Sequence, residues 1–247
     1  MQRLSEQTSR HTTVVCVATR ATTWRNLSKY CFNYTFKSQR PRFDLALVCN
    51  GSCDGLHSYI KSLQPDYYLE RANLGFDLAA FDALLKLLPQ GRYRNFLLLH
   101  DDHWFEDDTW LDSLLQLADA QPDITVFGNL IDCSEDKLVQ HFEIISRVLG
   151  YGRYLDEPSP VFTQGVAGLY RSSAIDIWLR HDGIPHIHNN LKNLAEVCER
   201  LASFMLYHEG CSFMQIPPGY EAFLRHRDHL SSIGAPHSTY SKKVIQP

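Results

Sequence analysis

Short apolar segments alternate with amphipathic helical segments through the first 130 of the 247 residues. Strands are predicted at residues 13–18, 44–49 and 95–99, each followed by polar or glycine-containing residues. Helices are predicted at 77–88 and 109–120, where apolar side chains recur at spacings of three and four. Because this alternation is the pattern of βαβ units, we expect an α/β fold with a mostly parallel central sheet and helices on both faces.

Weaker signals complete the secondary-structure prediction. Further strands are expected at 66–69, 124–127, 213–216 and 161–169, the last of them interrupted by two glycines. A short helix is expected to run through Trp178, and a longer amphipathic helix is predicted at 190–207. A hydrophobic content of 44% is enough to bury a full core in a chain of this length. One large α/β domain is therefore the simplest expectation.

Charge, cysteine content and the polar start of the chain limit the function classes. A net charge of −4 gives no broad electrostatic footprint for nucleic acid. The seven cysteines are scattered without a CxxC pair, which is typical of reduced thiols rather than of a disulfide framework. No apolar run approaches the roughly 20 residues that span a bilayer. We expect a cytoplasmic protein with no nucleic-acid partner.

The strongest chemical signal lies at residues 96–105, FLLLHDDHWF. A buried strand here delivers Asp101 and Asp102, flanked by His100 and His103, to its carboxyl end, where ligands of open α/β sheets bind. Adjacent acids repel one another and are costly to desolvate, so a divalent cation between them and an anionic ligand explains them best. The alternative is that they begin a turn and cap the next helix, although two aspartates a few residues later already supply a cap.

Two polar segments follow the neighbouring strands. Residues 50–55, NGSCDG, combine glycines that allow close backbone approach with Asp54, which can accept hydrogen bonds from a base or a ribose. Residues 73–77, NLGFD, open a helix, so that its backbone N–H groups and Asp77 can meet a nucleotide. Each segment alone is also compatible with an ordinary turn or a helix N-cap.

In this order and spacing, the three motifs resemble the nucleotide-sugar-binding half of GT-A fold glycosyltransferases. The similarity is to the large inverting family of bacterial rhamnosyl, galactosyl and N-acetylglucosaminyl transferases. That family has motifs like DNGSTDG, ENxGfaxAxNxG and D-x-D, matched here by NGSCDG, RANLGFDLAAFDA and LLLHDDHW within residues 13–127. The resemblance implies a single Rossmann-like GT-A domain. It would comprise a polar leader at 1–12, a nucleotide-sugar-binding half at 13–130 and an acceptor-binding half at 131–247.

The resemblance also implies roles for residues of the first half. Asp54 would contact the base, and Asp77 would help to position the nucleoside. Asp101 would touch the ribose or the metal, while Asp102 would coordinate Mn²⁺ or Mg²⁺ on the diphosphate and so assist catalysis. Further contacts to the donor are expected from strand ends and loops, namely Thr19, Arg20, Asn50, Asn73 and Gly75.

The metal-binding motif departs from the family pattern at its first position. His100 occupies the place of the first acid of D-x-D, so either the register shifts to Asp101 and His103 or one acidic contact is lost. Because imidazole is acceptable to manganese and poor for magnesium, manganese is preferred. A late histidine often completes the metal shell in this family, and His229 matches it best.

On the acceptor side, residues 163–173, TQGVAGLYRSS, resemble a glycine-containing segment of the family. This places Gln164 and Gly165 near the sugar, although a glycine-rich strand bend is an equal interpretation. The family also carries an acidic pair at a helix start, one carboxylate of which is the catalytic base, and no Glu-Asp pair is present here. Candidates for the base are Glu196, Glu199 and Asp182.

The implied activity is metal-assisted transfer of a sugar from a nucleotide diphosphate sugar to a saccharide or lipid-linked glycan, as in polysaccharide biosynthesis. Inversion of configuration is expected, with retention left open because GT-A folds host both outcomes. A lipid-linked acceptor would bring the protein to the inner face of a membrane as a peripheral protein.

Three other functions compete with this interpretation. A sugar-phosphate nucleotidyltransferase would need glycines in the loop at 19–23, which has none. A non-catalytic nucleotide-sugar-binding domain of a polysaccharide assembly complex would bind the same ligand without turnover. A zinc hydrolase could use His186 and His188 or the cluster at 226–229, but the spacing matches no common catalytic signature.

Overall fold

Ten strands and seven α-helices organise the part of the chain that the computed structural model describes, residues 2–3, 11–105, 107–133, 142–156, 158–189, 191–216 and 225–226. The strands are β1 (Gln2–Arg3), β2 (Thr13–Arg20), β3 (Asp44–Asn50), β4 (Tyr67–Arg71), β5 (Asn95–His100), β6 (His103–Trp104), β7 (Val126–Asp132), β8 (Val161–Arg171), β9 (Phe213–Gln215) and β10 (Arg225–His226). The helices are α1 (Tyr34–Gln39), α2 (Asp54–Leu63), α3 (Phe76–Leu87), α4 (Trp110–Ala120), α5 (Phe142–Val148), α6 (Ser172–Arg180) and α7 (Lys192–His208). A π-helical turn lies at Leu27–Cys31, and 3₁₀ turns lie at Arg40–Arg42 and Gly152–Leu155.

The main sheet has the strand order β1-β4-β3-β2-β5-β8-β7-β9. The strands β4, β3, β2 and β5 are parallel to one another, as the sequence predicts. The strand β8 then inserts antiparallel between β5 and β7, and β1 adds antiparallel to the outer edge of β4. Because β8 and β9 come from the second half of the chain, both halves contribute to one sheet.

Both faces of this sheet are covered, which explains why its central strands are apolar throughout. Along β2, Val14 and Cys16 pack on one face, while Val15 and Val17 pack on the other, and all four are fully buried. Side chains of α3, α6 and α7 cover the first face, and side chains of α2 and α4 cover the second. Strands buried on both faces give continuous apolar runs instead of alternation. The predicted α/β fold with helices on both faces is confirmed.

A bulge in β8 shapes the edge of the sheet where β5 ends. Gly168 pairs with Gly128 and Thr163 pairs with Leu130, so residues 164–167 stand opposite one residue of β7. Extra residues on one strand bend it and increase its local twist. Within the bulge, Gly165 and Val166 both have a φ of 60°. The predicted interruption of this strand is therefore a bulge inside one continuous strand that runs to Arg171.

Two observations bear on the ends of the chain and on membranes. Residues 2 and 3, within the predicted polar leader, form a short strand against β4. No helix in the described ranges is both long and apolar enough to span a bilayer. The division of the chain at residue 130 into donor and acceptor halves stays a prediction.

Candidate metal and nucleotide site

A cleft of about 440 Å³ opens at the carboxyl edge of the sheet, next to the ends of β2 and β5, the bulge of β8 and the first turns of α7. Parallel strands bring their carboxyl ends to one edge, where open α/β folds bind their ligands. The lining of this cleft is mainly polar. Its polar side chains are those of Thr19, Arg20, Thr23, Asn26, Asp77, His100, Asp101, Asp102, His103, Asn129, Gln164, Lys192, Glu196 and Glu199.

Asp101 ties the loop after β2 to the end of β5. Its Oδ2 accepts hydrogen bonds from the hydroxyls of Thr19 and Thr23, both at 2.7 Å, and its Oδ1 accepts one from the Asn26 amide at 3.2 Å. Burial raises the pKa of Asp101, the three hydrogen bonds lower it, and the charge of Asp102 raises it again. Because its donors come from the end of β2 and from the loop that follows, this carboxylate joins that loop to the end of β5.

Asp102 forms a group of possible metal ligands with the two histidines. One ligand atom each of His100, Asp102 and His103 lies within 4.8 Å of the others. The residues Asp101 and Asp102 are only 7% and 8% exposed, so neither acid faces bulk solvent. The turn that leads into α4 is held by another residue, Asp107, whose Oδ1 accepts from the backbone N–H of Thr109, the N-cap of that helix. One carboxylate with imidazoles is a donor set that a divalent transition metal such as Mn²⁺ accepts.

The histidines are held in place by different hydrogen bonds. Nε2 of His100 lies 2.8 Å from the carbonyl oxygen of Gly165, and its ring stacks on Phe81 with centroids 5.9 Å apart. Nδ1 of His103 accepts the backbone N–H of His100 at 3.1 Å. Both rings are therefore oriented by the backbone around them.

A second charged pair lies at the start of α3. Nη2 of Arg20 is 3.5 Å from Oδ2 of Asp77, and the Arg20 guanidinium lies over the Phe76 ring at 5.5 Å. Gly75 and Phe76 have φ values of 76° and 54°, which is costly for a phenylalanine. The Asn50 amide donates to the Phe76 carbonyl at 2.9 Å and helps to hold this backbone. The helix start and Arg20 together present polar groups to the cleft.

Two glutamates of α7 face the cleft from the acceptor side. Glu199 accepts a hydrogen bond from the backbone N–H of Gly165. Burial raises its pKa to about 6, against the opposing effects of that hydrogen bond and of the positive charge of Arg200. Glu196 is more open and lies 3.6 Å from Nζ of Lys192. The chain thus offers one half-buried and one more solvent-accessible carboxylate near the bulge.

Several residues predicted for the site lie elsewhere. Asp54 is exposed at the start of α2, and Asn73 is exposed before α3. Gly75 is buried as the N-cap of α3, with its N–H donating to Asn189. Asp182 is fully exposed near Lys86 in the last turn of α3, whereas Asp77 in the first turn of α3 lines the cleft. These two turns are at opposite ends of the helix, and Asp182 does not line the cleft. His229 lies outside the described residues.

The cleft also contains residues that sequence reasoning missed. Thr23 and Asn26 bind Asp101, Asn129 stands opposite the β8 bulge, and Lys192 lies at the start of α7. For Thr23, the only signal in the sequence was its place among the polar residues that follow the strand predicted at 13–18, which is β2 in the structure. Asn129 and Lys192 carried no local signal, because only the bulge and the packing of α7 bring them to the cleft.

The other candidate ligand pair, His186 and His188, has one carboxylate nearby, since Nδ1 of His186 lies 3.8 Å from Oδ2 of Asp82. The rings are 4.8 Å apart, and Nδ1 of His186 lies 2.8 Å from the carbonyl oxygen of Ile184. Within the described ranges, no group of three His, Cys, Asp or Glu ligands includes either residue. The zinc-hydrolase alternative therefore gains no support from this pair.

Comparison with known proteins bears on the fold. No protein-family model and no curated protein matches the chain. Among solved structures, it is similar to the mannosyltransferase PcManGT from Pyrobaculum calidifontis in complex with GDP-Man and Mn²⁺, with a TM-score of 0.54 and 15% identity over 85% of this chain and 56% of that one. It also matches two structures of S. aureus TarS. The first has a TM-score of 0.46 and 13% identity, and the match covers 76% of this chain and 55% of the TarS chain. The second has a TM-score of 0.47 and 15% identity, and the match covers 83% of this chain and 35% of the TarS chain.

The likeness to PcManGT confirms the predicted single Rossmann-like domain of GT-A type. The chain spans about half the length of that mannosyltransferase chain.

Proposed function

We propose that the protein is a glycosyltransferase that transfers a sugar from a nucleotide diphosphate sugar to a saccharide or lipid-linked glycan, assisted by Mn²⁺ or Mg²⁺. The observation that carries the proposal is the buried Asp102, grouped with His100 and His103 in a polar cleft at the carboxyl edge of the sheet. The fold is shared with a mannosyltransferase that was solved with GDP-Man and Mn²⁺, which supports this type of donor.

The donor-binding part of the mechanism rests on charge. Asp102 would hold the cation, which when bound stabilises the negative charge that develops on the departing diphosphate. Arg20, beside Asp77 in the cleft, offers a guanidinium for charge-assisted hydrogen bonds to phosphate oxygens. The net charge of the whole chain is −4, so attraction of an anionic donor has to come from such local groups.

The acceptor hydroxyl needs a base, and Glu199 is the candidate that the geometry supports best. A pKa of about 6 leaves its carboxylate ionised at neutral pH and still basic enough to take a proton. The backbone N–H of Gly165 orients it, and both residues line the cleft. Glu196, at the more open position, would bind acceptor hydroxyl groups. A base positioned in this way supports direct displacement with inversion of configuration.

The remaining features of the proposed activity rest on the sequence resemblance. These are hexosyl transfer, a role in polysaccharide biosynthesis and peripheral association at the inner face of a membrane, whereas the expected cytoplasmic location rests on the seven scattered cysteines. Within the described residues, Lys192 and Glu196 provide opposite charges on the acceptor side of the cleft. Such a surface suits a polar saccharide better than an acyl chain.

The test is a screen of nucleotide sugars for thermal stabilisation that depends on Mn²⁺, followed by mass detection of the released nucleotide. Asp102→Asn is expected to lower turnover at least about 100-fold and to remove the stabilisation by Mn²⁺. Asp176→Asn, an exposed acid on α6, serves as the matched control and is expected to behave like the wild type.

Other results of this screen would indicate a different function for the protein. Wild-type turnover in Asp102→Asn would refute the proposed site. Stabilisation by a nucleotide sugar without turnover for any acceptor would indicate a binding domain instead of an enzyme. Formation of a nucleotide sugar and pyrophosphate from a nucleoside triphosphate and a sugar phosphate would indicate a nucleotidyltransferase.

A further inference from the structure

The hydrogen bond of His100 determines which of its ring nitrogens carries a proton. Nε2 lies 2.8 Å from the Gly165 carbonyl oxygen, which can only accept, so Nε2 must carry the hydrogen. The lone pair of the neutral ring is then on Nδ1. Histidines that bind metals commonly donate their other N–H to a backbone carbonyl in this way, which fixes the tautomer and the ring orientation.

His103 has the opposite arrangement. Its Nδ1 accepts the backbone N–H of His100 at 3.1 Å, so Nδ1 is unprotonated and the neutral ring carries its hydrogen on Nε2. For Nε2 to bind a metal, that hydrogen would have to move to Nδ1. It would then face the N–H of His100, and a buried backbone donor would lose its acceptor.

The surroundings oppose a rearrangement of His103. This residue is only 4% exposed, and its ring packs edge-on against the His100 ring with centroids 5.3 Å apart. Its backbone is also paired with β10. Rotation of the ring would therefore disturb packed neighbours as well as the hydrogen bond.

We infer that these two histidines have different tasks: His100 binds the metal through Nδ1 together with Asp102, and His103 donates from Nε2–H to the diphosphate of the donor. The inference rests on the proposed function, since it assumes a cation and a nucleoside diphosphate in this cleft. It assigns one imidazole to the metal and one to the anion. It differs from the expectation drawn from the sequence, in which His103 is a metal ligand.

Amide substitutions can separate the two nitrogens. Asparagine places its side-chain oxygen near the position of Nδ1, while glutamine places its amide group near the position of Nε2. At position 100, asparagine can therefore replace the metal-binding nitrogen and glutamine cannot. At position 103, glutamine can replace the Nε2–H donor and asparagine cannot, although asparagine still accepts the N–H of His100.

The first measurement is the affinity of the full chain for Mn²⁺ alone, read from the electron paramagnetic resonance signal of the free ion. We expect His100→Gln to weaken Mn²⁺ binding at least about 10-fold and His100→Asn to weaken it about 3-fold or less. Both His103→Gln and His103→Asn are expected to stay within about 2-fold of the wild type. Circular dichroism and the melting temperature check that each variant is folded.

The second measurement is calorimetric titration with GDP and with UDP at saturating Mn²⁺. We expect His103→Asn to weaken nucleotide binding about 10-fold and His103→Gln to weaken it about 3-fold or less. A purely structural role would not give this reciprocal pattern, in which opposite amides rescue the two positions.

The outcomes separate this inference from the proposed function. Equal loss of Mn²⁺ affinity in His100→Gln and His103→Gln would overturn the division of tasks while leaving the metal site in place. Wild-type Mn²⁺ affinity in His100→Gln would overturn the role of His100. A wild-type chain that binds neither Mn²⁺ nor either nucleotide would overturn the proposed function and this inference together.

Discussion

The hydroxyl of Thr19, in β2, donates a 2.7 Å hydrogen bond to Oδ2 of Asp101, just beyond the end of β5. This contact joins two neighbouring parallel strands at their carboxyl ends, where the cleft opens. Since Thr23 and Asn26 bind the same carboxylate, the loop after β2 and the acids after β5 form one unit. The two adjacent acids thus differ in their surroundings. Asp101 accepts hydrogen bonds from β2 and its following loop, whereas Asp102 lies close to His100 and His103.

Removal of the Asp101 carboxylate is therefore expected to destabilise the protein. Asp101→Ala leaves two hydroxyls and an amide without their acceptor, and we expect a loss of about 2–4 kcal/mol in the free energy of unfolding. Urea unfolding followed by circular dichroism measures it. The control is Asp176→Ala on the exposed surface of α6, for which a change below about 0.5 kcal/mol is expected. Similar values for the two variants would contradict the structural role of Asp101.

Glu199 makes the stability of the metal-free protein depend on pH. Its pKa is about 6 in the folded protein and 4.5 ordinarily, so the folded state binds a proton more tightly than the unfolded state. The resulting stabilisation is complete below pH 4.5 and is lost as the pH rises through 6, with a total of about 2 kcal/mol.

In Glu199→Gln this contribution disappears, while the amide oxygen can still accept the N–H of Gly165. The free energy of unfolding, measured by urea titration in EDTA from pH 4.5 to 7.5, is expected to fall less steeply with pH than in the wild type. Parallel curves for the two proteins would show that Glu199 does not titrate in this way.

The same carboxylate should shape the pH dependence of catalysis. A base acts in its ionised form, so kcat/KM is expected to fall as the pH drops through about 6, or at a lower pH if the bound cation stabilises the carboxylate. Glu199→Gln is expected to lower the rate by about 100-fold to 10,000-fold at pH 7.5. Glu196→Gln should lose less, and mainly through a higher KM for the acceptor. The reverse order of these losses would make Glu196 the base.

Asp54 and Asp77 can be separated by their effect on nucleotide affinity. Asp77 lines the cleft beside Arg20, whereas Asp54 is exposed at the start of α2 and does not line it. Asp77→Asn is expected to change GDP or UDP affinity at least about 5-fold, since it alters the charge next to Arg20. Asp54→Asn is expected to leave the affinity within about 2-fold and to cost a few tenths of a kcal/mol at the helix start. Calorimetric titration of both variants with GDP and UDP measures these affinities. An equal change in the two variants would contradict the different positions of Asp77 and Asp54.

The strands around the site could be predicted because local sequence determines them. The apolar runs of β2, β3 and β5 are buried on both faces, and residues that end such strands lie at one edge by the geometry of parallel pairing. Asp101 and Asp102 followed directly from that reasoning. Their partners did not, because Thr23 and Asn26 lie 78 and 75 residues away from Asp101 in the sequence. Side chains of a loop carry no local pattern that reveals such contacts.

The antiparallel insertion of β8 is the other feature that the sequence could not predict. Its glycines indicated a bend, and the bend is real, but the pairing of β8 with β5 depends on long-range register. That register brings Gly165 against His100, and the packing of α7 on β8 brings Glu199 to the same glycine. Predicted residues such as Asp54 and Asp182 lie outside the cleft, because a motif fixes spacing along the chain and not the direction that a side chain takes.

Gly165 is expected to be irreplaceable for a steric reason as well as a conformational one. It has a φ of 60°, and a Cβ added there would lie 2.2 Å from Cε1 of His100. Gly165→Ala must therefore displace the ring and break its 2.8 Å hydrogen bond to the Gly165 carbonyl. We expect a loss of at least about 2 kcal/mol in stability and about a 10-fold loss in Mn²⁺ affinity.

Gly91→Ala is the matched control for backbone strain alone. Gly91 has a similar φ of 71°, but an added Cβ would meet nothing within 4 Å. It is expected to cost about 1 kcal/mol and to leave Mn²⁺ affinity unchanged. Urea unfolding and Mn²⁺ titration of the two variants separate strain from contact. If both alanine variants lost the same stability and neither lost metal affinity, the position of the His100 ring would not depend on Gly165.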